Sequence, residues 1–585
     1  MKNCCLFIVF LFLYISVKPQ QKTPQLHPVI SSVLNEIKTY SEKESRSDSA
    51  KNHPLGSSME EDFLRSYNLY RSIDTKLNAL KDSLSFSDQV NLELLRHQVN
   101  DELSQYKYKA YLNPILSDEG FHTSLARRGN TILSSKKDAE RYNILLKDIP
   151  RYVDEHIALM REGLKLGISQ PKILLDGYEP TYMQHIVDDV ETSLFWKPYT
   201  KKPFGINEDG WKILQAEAKK IIQQDVVTSY KKIKSFFEGE YRTRTHESLG
   251  VSHMPNGKDY YEDRVKFFTT TNMSSEEVYQ VGLKEVARIK TEMDKVIQQV
   301  NFKGTFKEFI HFLRTDPKFF PPTGEQLLKE AAYIAKKSDG LLPSLFGKLP
   351  RQPYGVEPVP DYLAPAYTTG RYSGAPLNGK RAAMYWVNTY DLKSRTLYTL
   401  EALTLHEAVP GHHLQIALAK ESENLPEFRR NLYVNAFGEG WGLYAEYLGH
   451  EMGFYKDPYS LFGRLTYEMW RACRLVIDVG IHTKNWTREK AVNYLADNTA
   501  LSMHEVNTEI NRYISWPGQA LAYKIGEIKI KEMRRKVEDA LKQDFDVRSF
   551  HDMILSNGAV TLSILEKITD RYINEQLEQN KLKKK

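Results

Sequence analysis

Cysteine is nearly absent: three residues in 585, at positions 4, 5 and 473. The first two fall in the N-terminal leader, so a processed chain keeps Cys473 alone. That excludes an internal disulfide. A chain of this length builds a core that needs no such staples. Long apolar runs are also missing; after residue 17 no segment has the length to cross a bilayer. There is no internal repeat of fixed period. No basic stripe interleaves with aromatics, which excludes nucleic acid as a partner. Of the formal charge of +6, Lys581, Lys583, Lys584 and Lys585 supply four, as a solvated tail. Residues that are 41% apolar and 27% charged exclude disorder for the bulk of the chain. What is plentiful is tyrosine, 35 residues against 25 Phe and 7 Trp, a ring suited to lining a wet site.

The N-terminus reads MKNCCLFIVFLFLYISVKPQQ. Lys2 followed by an apolar run from Leu6 to Val17 reads as a signal peptide over residues 1–20, and hence as an exported protein, periplasmic or secreted. An uncleaved anchor is the alternative. Neither Cys4 nor Cys5 follows the apolar run, as a lipidated cysteine would. Asn272-Met-Ser and Asn485-Trp-Thr are glycosylation triplets, relevant only in a eukaryotic host. Residues 21–58 read as an N-terminal arm or linker, with the polar stretch SEKESRSDSAKNHPLGSS at 41–58. Residues 59–580 read as a single, mainly α-helical domain.

Helical periodicity dominates that domain. From Ser274, a capping-box residue with Glu277, apolar positions follow at Val278, Gly282, Val286, Ile289, Met293, Val296 and Val300, one helix face wide. Similar patterns run over 61–98, 135–167, 211–238 and 425–450. Prolines at 350, 353, 358, 360, 365 and 376 exclude a long helix between about 340 and 395. Within that stretch AAMYWVNTY, 382–390, has strand composition and reads as an edge strand. It is either a substrate-binding edge beside the helix that follows or a plain structural hairpin.

That helix carries HEAVPGHHLQ, residues 406–415. Two histidines four apart on a helix share a face and can share a zinc ion. His406 and His412 are six apart; on an unbroken helix they would point about 240° from each other. His413 would return to the face about 10 Å further along. Pro410 and Gly411 change this. Proline has no N–H for the carbonyl of His406, and glycine accepts almost any backbone angle. With the two removed, His-Glu-x-x-His reappears. The simplest reading is a two-residue insertion absorbed by a bulge, with His406 and His412 as metal ligands and His413 as the runner-up. A third ligand is expected from NAFGEGWGLYAEYLGHEMG, 435–453, which offers Glu439, Glu446 and Glu451. Glu439, flanked by Gly438 and Gly440, is the choice; Glu446, two turns on, is placed to orient a histidine. Two imidazoles and one carboxylate with an open position suit zinc. Glu407 is then the base that takes a proton from a zinc-activated water and passes it to a leaving amine.

At these residues the sequence resembles a bacterial family known as domain of unknown function 885, whose members look like zinc peptidases akin to Taq-like carboxypeptidases and thimet-type oligopeptidases. The matching pieces are HEAVPGHHLQ, NAFGEGWGLYAEYL, RACRLVIDVGIH, RYISWPGQALAYKIG and GVSHMPNGKDYY, spread over most of the chain. The resemblance implies a helical, zincin-like domain around a deep cleft, with a small β element beside the metal helix. By the same resemblance Tyr523 is the tyrosine that hydrogen-bonds a developing oxyanion. Arg512 is a candidate grip for a substrate carboxylate. His482 is a candidate contact to the reacting group or a partner of Asp478, four residues before it. The expectation is a zinc metallopeptidase of the carboxypeptidase, dipeptidase or oligopeptidase type acting on short peptides. The alternatives are a zinc amidase on a non-peptide or cell-wall amide, and a non-catalytic binding protein on the same scaffold.

Overall fold

Polar caps open the helices that the periodicity marks out. In the computed structural model, which describes residues 25–46, 53–80, 83–361, 363–377 and 379–583, Ser274 accepts from the Glu277 N–H, while Glu277 accepts from the Ser274 N–H at 2.8 Å. They start helix α1, Ser275–Gln299. Val278, Gly282, Ile289, Met293 and Val296 are buried along it; Val286 and Val300 sit at the margin. The signal segment 1–20 lies outside the described residues.

The fold is mainly α with one small sheet. The pattern over 135–167 is a single helix, Lys136–Leu166. That over 61–98 breaks into Glu60–Ala79 and Phe86–Lys107. Within residues 21–58, read as an N-terminal arm or linker, Pro28–Arg46 is a helix whose Ile30 and Val33 are buried with Ile73, Leu77 and Val99. Its polar C-terminal half hid the apolar positions of its first turns. A separate apolar core, from Ile115 to Tyr241, holds the helices of that stretch together, Lys136–Leu166 among them. Among the described residues no helix is long and apolar enough to cross a membrane.

The proline-rich stretch forms strands β1, Tyr354–Pro358, β2, Gly370–Ser373, and β3, Ala383–Val387. The order is β1-β3-β2, with β3 parallel to β1 and antiparallel to β2. The strand read as an edge is therefore the central one. Ala383, Tyr385 and Val387 alternate toward the buried face, and the strand pairs with a neighbour on each side. The edges are β1 and β2, and β2 is too short and too polar to stand out in the sequence.

Five helices then build the interior: α2, Leu400–Glu407, α3, His412–Glu421, α4, Asn435–Leu448, α5, Pro458–Lys484, and, after α6, Met503–Ser515, the helix α7, Ala522–Leu541. Helix α5 is buried without interruption from Phe462 to His482. It packs on α1 at Gly282, where a Cβ would come within 2.7 Å of Leu475. Helices α4 and α7 touch backbone to backbone: a Cβ on Gly526 would lie 2.0 Å from the Ala436 carbonyl oxygen. That contact brings the start of α7, with Tyr523, against the helix of Glu439.

Candidate metal centre

Helix α2 stops at Glu407 and α3 begins at His412. Pro410 cannot continue the ladder, and the His413 N–H reaches the Ala408 carbonyl at 3.1 Å instead. The carbonyls freed in the break find side chains: Ser338 donates to Val409 at 2.7 Å and the Trp441 indole to Pro410 at 2.8 Å. Gly411 runs so close to α2 that a Cβ would meet the His406 carbonyl oxygen at 1.9 Å. No other residue fits there. The break turns the two imidazoles toward each other, with ring centroids 4.8 Å apart and planes nearly perpendicular at 87°.

Glu439 on α4 completes the group. Its Oε2 lies 3.7 Å from His406 Nε2 and 3.4 Å from His412 Nε2, and one ligand atom from each of the three falls within 4.8 Å of the others. Two glycines of α4 make the approach feasible. Gly442 leaves room for the His406 ring, and Gly440 lies on the Gly526 backbone. The His406 Nδ1–H donates to Glu446 Oε1 at 2.8 Å, which presents its Nε2 to the group. Arg471 in turn holds Glu446 at 3.3 Å. Burial would lower the His406 pKa, but hydrogen bonds to Glu439 and Glu446 and the charges of Glu407 and Glu446 carry it up to about 10. Burial would raise the Glu439 carboxyl; His412 and His406 hold it well below the usual carboxylate range. The three residues can hold a divalent transition metal.

His413 faces the other way. Its ring nitrogens meet the Tyr372 hydroxyl and the Gln352 carbonyl oxygen, at 3.3 and 3.0 Å. Glu451 is also remote in function, tied to Arg534 at 2.6 Å. Glu407 is 8% exposed and its Oε2 accepts the Tyr372 N–H at 2.7 Å. Edge strand β2 thus fixes the carboxylate beside the trio. The Tyr523 ring stacks at 6.5 Å from that of His406, with the Arg474 guanidinium 4.2 Å over its face. Arg512 stands 5.9 Å from the same ring and 3.5 Å from Glu509.

His482 does not join them. It is fully buried; its Nδ1 accepts the Val251 N–H at 3.2 Å and its Nε2–H donates to the Tyr513 carbonyl at 2.9 Å. With both nitrogens engaged by backbone, it ties the GVSHMPNGKDYY segment to α5. Nor does it pair with Asp478, which accepts from the Tyr261 hydroxyl and the Gly518 N–H.

Sequence reasoning missed three neighbours. Tyr433 donates to Glu439 Oε1 at 2.8 Å, and a Cβ on Gly438 would strike its ring at 2.6 Å. Arg471 and Arg474 form the charged inner face of α5 with Arg464, Glu468 and Asp478, at steps of three or four residues. That spacing was available as a signal, but charged stripes normally face water.

Residues 46–568 match the family described as "Bacterial protein of unknown function (DUF885)", and the chain belongs to that family. No curated protein matches. Two solved structures share the fold. A "putative lipoprotein" from Colwellia psychrerythraea is 25% identical with a TM-score of 0.84, over 94% of this chain and 98% of that one. A "putative lipoprotein of unknown function" from Shewanella oneidensis is 17% identical with a TM-score of 0.67, over 92% and 98%.

Proposed function

We propose that this DUF885 chain is a zinc-dependent hydrolase that cleaves amide bonds of short peptides, with Glu407 as general base. The observation that carries the reading is the convergence of His406 Nε2, His412 Nε2 and Glu439 Oε2. Zinc held tetrahedrally at about 2.0–2.1 Å puts its ligand atoms about 3.3 Å apart, and the two imidazole-to-carboxylate distances here are 3.4 and 3.7 Å. Two imidazoles, one of them tied through its other nitrogen to Glu446, and one carboxylate form the usual donor set of a catalytic rather than a structural zinc.

A bound zinc ion supplies an acidified water and polarises a substrate carbonyl. Glu407, held at one oxygen by the Tyr372 N–H, receives the proton of that water and delivers it to the leaving amine. Tyr523, stacked by Arg474 and next to His406, donates its hydroxyl to the oxygen that gains charge. The trio is nearly enclosed, with His406 and His412 at 3% and 8% exposure. Such a site suits short, unfolded substrates. The likeness to Taq-like carboxypeptidases and thimet-type oligopeptidases belongs to the same proposal, and the lipoprotein description of the two structural neighbours supports a place outside the cytoplasm.

The test is Glu407→Gln in the full chain, with zinc content and turnover of a short-peptide pool measured together. Retained zinc with turnover lowered by a factor of about 100 or more is the expected result. Retained turnover removes Glu407 from the mechanism, and a wild-type protein that cuts nothing with zinc bound removes the hydrolase reading.

A further inference from the structure

We propose that Arg512, backed by Arg474, seats the free C-terminal carboxylate of the substrate, which makes the hydrolase proposed above an exopeptidase acting from the C-terminal end. The inference rests on that reading for its chemistry and on a separate charge imbalance for its site. Arg474 and Arg512 share one carboxylate, Glu509, at 2.9 and 3.5 Å. Arg474 gives its Nε–H to the Tyr513 hydroxyl. Its Nη1, together with Nε and Nη2 of Arg512, is buried without a hydrogen-bond partner. The other acids nearby do not close the gap. Glu446 is taken by His406 and Arg471. Glu505 is engaged elsewhere, accepting from the Thr369 hydroxyl with Arg395 as its main opposing charge, and Asp118, in the field of Arg512, forms no ion pair with it among the described residues. Two guanidinium groups against one carboxylate leave a positive charge that a buried site tolerates poorly until an anion arrives.

Position identifies the anion. The Tyr523 ring neighbours both this pair and the metal centre, with Arg474 at 4.2 Å, Arg512 at 5.9 Å and the His406 ring at 6.5 Å. An extended chain advances about 3.3–3.6 Å per residue, so a carboxylate on the pair sits one or two residues beyond a carbonyl at the trio. The Arg512 side chain keeps 18% exposure and Arg474 only 2%. Arg512 therefore meets the ligand, and Arg474, stacked 4.4 Å from Trp470, stands behind it as a fixed charge. A planar fork matches a carboxylate in two hydrogen bonds and finds no charge on an amide.

The experiment offers the zinc-loaded full chain a mixed pentapeptide library made once as free acids and once as C-terminal amides. Free acids shortened by one or two residues from the C-terminus, and amides cut about 10- to 100-fold more slowly, is the result expected. Arg512→Gln then erases the preference, chiefly through KM. Equal cleavage of acids and amides overturns the proposal, as does a preference that survives Arg512→Gln; its loss in Arg371→Gln would instead place the seat at the guanidinium in the field of Glu407. If neither library is cut, the hydrolase reading fails separately. The seat is then judged by equilibrium binding of the two libraries to the same protein: tighter binding of the acids upholds it, and equal binding overturns it.

Discussion

Gly442 faces the His406 imidazole so closely that a methyl group there would lie 2.7 Å from Cε1 and 2.8 Å from Nε2. The helix that supplies Glu439 thus also supplies the space for its partner. Gly442→Ala is expected to push the ring off its position, lowering stability by about 1–3 kcal/mol and weakening metal binding. Thermal unfolding with and without zinc measures both. An unchanged zinc affinity contradicts the placement.

Glu446 orients His406 through Nδ1 and is itself held by Arg471. Glu446→Gln keeps the shape and removes the charge. Zinc affinity should fall by about 10- to 100-fold while the helical circular dichroism stays unchanged. Competition with a chelator of known affinity gives the number.

Metal uptake should displace a proton. Without metal, His406 has its pKa lifted to about 10 by Glu439 and Glu446 against the effect of burial, and a ligand histidine must be neutral. Zinc affinity therefore rises with pH, by about tenfold per unit for one proton, through neutral pH and up to about pH 10. The same shift stabilises the metal-free fold: the contribution is fully present below the unfolded value of 6.5 and is lost as pH climbs to about 10. Calorimetry of zinc binding in buffers of different ionisation enthalpy counts the proton. Uptake without proton release contradicts the coupling.

Acid should unfold the protein early. Burial drives His122 and His551 down to about 3 and His482 down to about 4. Below pH 6.5 the unfolded chain protonates all three and the folded chain does not, so their contribution is lost as pH falls toward those values. Asp478 opposes them: burial raises it to about 7, so it favours the fold more as pH drops from 7 to its ordinary 3.8. His185, His413 and His450 are likewise driven down to about 4, so the histidines outnumber Asp478, the unfolded state binds the excess protons near pH 5, and stability falls as pH falls. Urea midpoints between pH 7 and pH 4.5 test this; a flat profile contradicts it.

How much was legible follows from what each signal depends on. The helical class, the capped α1 and the break at Pro410-Gly411 depend on local chemistry, and the sequence carries that chemistry residue by residue. Glu439 could be singled out because its flanking glycines mark a close approach, although the reasons differ: Gly438 clears the Tyr433 ring and Gly440 a helix backbone. The order of the small sheet was not legible, since pairing on both sides of Ala383–Val387 is decided by segments that contact it from elsewhere in the chain. His482 misled for the same reason. Four residues from Asp478 on a helix, it nevertheless meets Val251 and Tyr513. The charged face of α5 reads as solvated until the helices around it close over Arg471 and Arg474.

The most direct measurement is an anomalous difference map at the zinc absorption edge from crystals of the zinc-loaded protein. A single strong peak within bonding distance of His406 Nε2, His412 Nε2 and Glu439 Oε2 is the predicted result. A map with no peak there, and Glu439 still pairing directly with both imidazoles, would contradict the metal centre and every step built on it.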